Sequence, residues 1–249
     1  MTSTRPGLVA LVAFASALIG TSAAAECRTE RFEEVSFSLC AVDPATADLR
    51  LFLNDESGRP YGSFQRVREA LAAEGADLAF AMNAGMYHPD RSPVGHYLDP
   101  SGEVRGVITS DGPGNFGLLP NGVFCIGDGW AQVFESRAYA ADRPDCRFAT
   151  QSGPMLVIDG GLHPRFIDGG SSRYVRNGVG VTGDGTVVAV ISDGPVNFHT
   201  FGRFFRDRLG TPNALYFDGN ISRLYAPELR RNDLGLPMGP ILGAVVPAD

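Results

Sequence analysis

A chain of 249 residues with 21 basic and 28 acidic side chains carries a formal charge of −7. That balance excludes a nucleic-acid backbone as the main partner, because neutralising phosphates takes a basic surface, but it leaves room for one phosphate held by one arginine. The length suits a single domain with one sizeable core, although two small domains also fit it, and no shift in composition marks a linker.

Residues 1–25 read as an export signal: Arg5 in a short polar start, an apolar run from Leu8 to Ile19, then Ala23-Ala24-Ala25 as a small-residue cleavage site. The run is short of the roughly 20 apolar residues a membrane helix needs, and no later stretch competes with it. Cys27 follows Glu26, too large and charged for a lipoprotein site, so the expectation is a soluble secreted or periplasmic protein, mature over 26–249, with no transmembrane segment. Four cysteines in an exported chain imply two disulfides. Three connectivities are open. Cys27 with Cys40 and Cys125 with Cys146 are favoured, because each pair encloses a short segment containing a turn.

Alternating apolar residues over Glu34–Val42 and Asp48–Asn54, with Asp43-Pro44 between, predict an opening hairpin with one buried face. Ser63 can cap a helix carrying Phe64, Val67 and Leu71, ended by Gly75. Asp77–Met82 is a short strand running into Asn83-Ala84-Gly85-Met86-Tyr87, where Asn83 is either a site residue or a partner for turn backbone. Strand-like pieces follow at Val104–Thr109 and Gly117–Leu119. The string from Gly112 to Gly117 matches GxGxxG as text only, since no helix follows it. Gly122–Ile126 and Ala131–Phe134 predict a hairpin, and Gln151-Ser152-Gly153-Pro154 introduces the apolar strand Met155–Ile158, offering amide and hydroxyl groups that bind a sugar or fix the loop.

The stretch from Ser171 to His199 reads as the organising hairpin, with strands Val175–Thr182 and Thr186–Ser192 about Gly183-Asp184-Gly185. A two-residue loop at Asp184-Gly185 sets Val181 against Val188 and Arg176 against Asp193. A loop one residue longer or shorter sets Arg176 against Ser192 or Gly194, with guanidinium and carboxylate still expected as neighbours. Asn177, Asn197 and His199 crowd the same end, and Gly178 and Gly180 leave the Arg176 face bare for a backbone or a ligand. Phe198–Leu209 predicts a helix with core aromatics, Ala214–Phe217 a strand delivering Asp218, and Ile241–Val246 a closing strand. The sum is an α+β fold: one domain on a twisted, mostly antiparallel β-sheet with a few covering helices.

Four of these segments, in order, resemble the phosphodiester glycosidase family, which includes the lysosomal enzyme that uncovers mannose 6-phosphate. They are Asn83-Ala84-Gly85-Met86-Tyr87, Gln151-Ser152-Gly153-Pro154-Met155-Leu156, Arg176-Asn177-Gly178-Val179-Gly180 and Ala214–Ser222. Ala84 replaces a family glycine, and Asp218-Gly219-Asn220-Ile221-Ser222 departs from the family's glycine-rich form, so the chain resembles a bacterial exported branch. The resemblance implies a hydrolase that cleaves a sugar 1-phosphodiester, such as an N-acetylglucosamine 1-phosphodiester, at the anomeric carbon. The alternative is a catalytically silent glycan-binding or envelope-associated module of the same fold.

Such chemistry needs a phosphate holder, for which the fork of Arg176 suits, and an acid or base, for which Asp193 and Asp218 are the candidates. Asn83, Gln151, Ser152, Asn177, Asn197, His199, Asn220 and Ser222 are the candidate substrate-binding residues. His88 and His96 rank below His199, since a loop histidine is usually solvated. One carboxylate can instead orient Arg176 or hold a divalent cation, Ca²⁺ or Mg²⁺, although the sequence shows no metal motif. HExxH, GxSxG and P-loop strings are absent.

Overall fold

The computed structural model describes Met1 and residues 25–248. The cleavage signal expected over 1–25 therefore lies outside the described residues except at its two ends. In chain order the elements are β1 (Glu26–Phe32), β2 (Val35–Val42), β3 (Asp48–Phe52), α1 (Phe64–Ala73) and β4 (Ala76–Asn83). Then come β5 (Tyr97–Asp99), β6 (Gly102–Arg105), β7 (Gly122–Ile126), β8 (Ala131–Glu135), α2 (Ser136–Asp142), β9 (Phe148–Ser152), β10 (Met155–Ile158) and β11 (Gly161–Leu162). The chain closes with β12 (Asn177–Val181), β13 (Val187–Ser192), α3 (Phe198–Arg203), β14 (Asn213–Asp218), β15 (Leu224–Ala226), β16 (Arg231–Asn232) and β17 (Ile241–Pro247).

Every strand pairing is antiparallel. The strands make a seven-stranded sheet in the order β1-β2-β13-β12-β14-β10-β11, a second sheet β16-β15-β4-β17-β3 and a third sheet β6-β5-β9-β7-β8. The expected α+β class with few helices holds, with the strands shared among three sheets rather than one. One large core lies between them: Cys40, Val179, Leu215 and Phe217 from the first sheet, Leu51, Phe80 and Leu242 from the second, and Phe124 from the third. Each outer face is closed by a helix. Phe64, Val67 and Leu71 of α1 cover the second sheet, Tyr139 of α2 the third, and Phe201 of α3, with Phe204 and Phe205 beyond it, the first. Burial of this apolar area is the main force holding the layers together.

α1 begins and covers the sheet as its sequence predicts, with Ser63 Oγ accepting from Arg66 N at 3.3 Å. The expected hairpin of 34–42 with 48–54 does not form. β2 pairs with β1 and β13, while β3 crosses to β17 of the second sheet, because the turn closed by Thr46 N and Ala47 N on Asp43 O redirects the chain. The helix expected over 198–209 is regular only to Arg203 and widens into a π turn over Phe204–Arg208. No strand forms over 117–119, and β1, β9 and α2 have no counterpart in the sequence reading.

The two disulfides are Cys27–Cys40 and Cys125–Cys146, the favoured pairing. Cys27 and Cys40 lie directly opposite each other in the β1–β2 ladder, with Cα atoms 4.0 Å apart. Among the described residues, no helix is long and apolar enough to cross a membrane.

Candidate functional site

The β12–β13 hairpin fixes the first half of the site. Its loop is the longer alternative, Gly183-Asp184-Gly185, since Thr182 N bonds Thr186 O at 2.9 Å. Asn177 therefore faces Ile191, and Arg176 faces Ser192, with Arg176 N donating to Ser192 Oγ and Ser192 N to Arg176 O, each at 2.9 Å. The Arg176 face is bare of side chains but not open. A side chain at Gly178 would strike the Leu215 carbonyl of β14, and one at Gly180 would strike Thr211 and Phe205. The two glycines admit the protein's own core, not a ligand.

The expected neighbourhood of Arg176 and Asp193 is also absent. One residue of register turns Asp193 away, and its carboxylate accepts from Ser38 Oγ at 2.9 Å and from Arg231 at 2.6 Å. Arg176 instead runs inward and is 1% exposed. Its Nε donates to Val196 O at 2.9 Å, and Nη2 donates to Ser172 O at 3.0 Å and Ser172 Oγ at 3.2 Å. The guanidinium lies 3.6 Å from the centre of the Phe198 ring, with the Tyr174 and Tyr216 rings each at 5.4 Å. Burial lowers its pKa from the ordinary arginine value, but a guanidinium stays charged. Its Nη1 is buried, with the Tyr216 hydroxyl as a polar neighbour outside good hydrogen-bond geometry. A buried cation with an unused donor is costly unless an anion completes it.

Asp218 ends β14 next to this point, paired with Asn177 across the ladder. Its Oδ1 accepts from the backbone N–H of Gly219, Asn220 and Ile221 at 2.5, 2.7 and 3.4 Å. All three bonds go to Oδ1, which leaves Oδ2 for a partner. Burial raises the Asp218 pKa above the ordinary aspartate value, and the three N–H donors offset part of that rise. Gly219 has to be glycine here: a Cβ would sit 2.4 Å from the Tyr216 hydroxyl and 3.5 Å from Arg176 Nη1. Burial raises the Tyr216 pKa, while Arg176 and Asn115 beside its hydroxyl pull the other way.

Asn83 joins the second sheet to this end of the first. Its Nδ2 donates to Asn177 Oδ1 at 3.2 Å, Asn177 Nδ2 donates to Asn83 O at 2.7 Å, and Asn83 Oδ1 accepts from Arg223 N at 2.9 Å. Ser222 Oγ reaches Val175 O and Asp218 O, both at 2.9 Å, and Asn177 Oδ1 at 3.3 Å. These three side chains hold strand ends in place. A cavity of about 570 Å³ opens above them, lined by Tyr87, Ser172, Tyr174, Tyr216, Asp218 and Asn220 among others. That volume is of the size that takes a small-molecule ligand.

The other expected residues lie elsewhere. Gln151 is spent on scaffolding: its Oε1 accepts from His96 N and Ile108 N at 3.0 Å, and its Nε2 donates to Ile108 O at 2.5 Å and Ser136 Oγ at 2.9 Å. Ser152 Oγ donates to Phe217 O at 3.1 Å. Asn197 caps α3, accepting from Thr200 N at 2.8 Å. His199 lines a separate smaller cavity, with Nδ1 3.2 Å from Asp168 Oδ1 but without hydrogen-bond geometry. His96 is buried against Tyr139 and the Arg105 carbonyl, and His88 is exposed. Among the described residues, no group of three or more His, Cys, Asp or Glu is arranged to hold a metal ion.

Tyr87, Ser172, Tyr174 and Tyr216 are cavity residues the sequence reading did not single out. Tyr216 lies inside the apolar run Ala214–Phe217 of β14, where its hydroxyl is the one local sign that it borders a site.

The phosphodiester glycosidase family model matches residues 76–234, which hold the Asn83, Arg176 and Asp218 segments. YigE of Escherichia coli, described as uncharacterized, is 29% identical over 184 residues, 74% of this chain and 72% of that protein. In fold, the chain is similar to the zebrafish N-acetylglucosamine-1-phosphodiester α-N-acetylglucosaminidase catalytic domain auto-inhibited by its pro-peptide, with a TM-score of 0.63. That likeness covers 90% of this chain and 84% of the zebrafish chain at 14% identity. A hypothetical protein from Synechocystis is similar with a TM-score of 0.59 and 13% identity, over 89% of this chain and 62% of that one. A family model spanning 76–234 of 249 residues covers well over half of the sequence, and the chain belongs to the phosphodiester glycosidase family.

Proposed function

We propose that this protein hydrolyses a sugar 1-phosphodiester at the anomeric carbon, after export to an oxidising compartment. The observation that carries the reading is Asp218, raised in pKa with a free Oδ2, in a cavity lined also by Ser172, Tyr174 and Tyr216, the residues packed against the buried Arg176 guanidinium. A phosphodiester bound there places a phosphate oxygen against the guanidinium, which holds the charge as it develops.

The bond broken is that between C1 of the sugar and the phosphate oxygen. The electron pair leaves with the phosphate, giving a phosphomonoester, and water adds to C1. Phosphate departs as a stable anion and needs no proton, so Asp218 takes the proton of the attacking water. Asp193, held by Ser38 and Arg231, has no part in this step. The two disulfides suit a secreted or periplasmic protein.

The test is incubation of purified protein with N-acetylglucosamine 1-phosphodiesters, watching for free sugar. Asp218→Asn should lower kcat by about 10²–10⁴-fold, the usual contribution of a general base. Binding without any release in the wild type would favour the alternative, a silent glycan-binding module.

A further inference from the structure

A second cavity, of about 220 Å³, adjoins the first. Ser172 lines both, and it is the residue whose carbonyl and hydroxyl hold Arg176 Nη2. The two cavities also border the same loop, the larger at Asn115 and the smaller at Leu118. Phe198 lines the smaller cavity and packs on the Arg176 guanidinium. A ligand seated against Ser172, over the buried Arg176, therefore has room on two sides of its phosphate.

The exposed wall of the smaller cavity is mainly apolar, from Leu118, Phe166, Ile167 and Phe198, with Arg165 and His199 also on its lining. Phe166 and Phe198 stack with ring centres 5.1 Å apart. The polar group of Asn197 is already engaged, accepting from Thr200 N and donating to Gly170 O at 3.2 Å. Ile167, 74% exposed, lines the same cavity and presents its side chain to whatever enters it. Tyr174, 50% exposed, lines the larger cavity next door.

Resting on the reaction given above, we propose that the smaller cavity takes the alcohol half of the phosphodiester, and that this alcohol is an apolar alkyl or aryl group. The sugar occupies the larger cavity, the phosphate sits on Arg176 beside Ser172, and the alcohol chain lies along Phe166, Ile167 and Phe198. Apolar burial then contributes to binding in proportion to the chain length that the cavity covers.

The experiment compares the methyl and hexyl phosphodiesters of N-acetylglucosamine 1-phosphate, in wild type and Ile167→Ser, the substituted residue being exposed and outside the catalytic set. Wild type should turn over the hexyl diester with at least tenfold higher kcat/KM. Ile167→Ser should lose most of that preference while keeping its turnover of the methyl diester and its melting temperature. Equal kcat/KM for the two diesters in wild type, or preference for a glycerol phosphate diester bearing a second anion, overturns the assignment of the cavity and leaves the reaction standing. Absence of turnover for every diester defeats the reaction instead. Calorimetric binding of the hexyl diester then decides the cavity by whether Ile167→Ser weakens it.

Discussion

Asn83 and Asn177 exchange two hydrogen bonds across the boundary between two sheets, at 3.2 and 2.7 Å, and both are fully buried. Asn83 ends β4 and Asn177 begins β12, so this pair sets how the second sheet meets the strand that carries Arg176 into the site. Asn177→Ala leaves the Asn83 amide and carbonyl unsatisfied. Each orphaned buried group costs about 1–3 kcal/mol, so denaturant unfolding should show a loss of at least that size. The substitution should also lower turnover in the folded fraction, because Arg176 is the preceding residue.

Arg176 and Asp193 should respond oppositely to substitution. Arg176→Ala removes the guanidinium's bonds to Val196 O and Ser172 O and leaves a void against Phe198, in the buried space that the large arginine side chain fills. It should melt lower and fail to turn over a phosphodiester. Asp193→Asn touches the bond from Ser38 and a partly exposed pair with Arg231, the latter worth about 0–1 kcal/mol, and should leave turnover unchanged. Loss of turnover in a well-folded Asp193→Asn would return that carboxylate to the mechanism.

Asp218 predicts a pH dependence with a definite sign. Burial raises its folded pKa above the unfolded value, so the folded state binds the proton more tightly, and stability contributed by this group falls as pH rises through the window between the two. Asp218→Asn retains an oxygen for the Gly219, Asn220 and Ile221 N–H groups while removing the buried charge. It should therefore melt higher than wild type at neutral pH, with the gain shrinking as pH falls through the raised folded pKa and gone below the ordinary aspartate pKa of about 3.9. The acid limb of kcat/KM in wild type should lie above that value. A limb at or below it would remove Asp218 as the base.

The Cys125–Cys146 bridge ties β7 to the segment before β9, in the third sheet. Replacing both cysteines by serine should cost about 2–5 kcal/mol in unfolding while leaving kcat unchanged, since neither residue lines the cavity. A fall in kcat at temperatures where the variant is fully folded would show that the third sheet shapes the site.

Much of the architecture is written locally. Ser63 with Phe64, Val67 and Leu71 specifies α1 by cap and spacing, and Gly183-Asp184-Gly185 specifies the β12–β13 hairpin by its turn. The cysteine pairing follows from short enclosed segments, and the strand ends at Asn83 and Asp218 are marked by polar residues after apolar runs. These features depend on neighbours in the chain, which the sequence lists in order.

What the tertiary structure alone decided depends on distances that no local pattern encodes. One residue in the hairpin loop moved Asp193 from Arg176 to Arg231, because a register slip reverses the face of every following side chain. The filling of the Gly178 and Gly180 face by Leu215, Phe205 and Thr211, and the commitment of Gln151 and Ser152 to Ile108, Ser136 and Phe217, arise from packing between segments far apart in sequence. The burial of Arg176 under Gly219 and Tyr216 has the same origin: β14 must lie beside β12 before the guanidinium can lose its water.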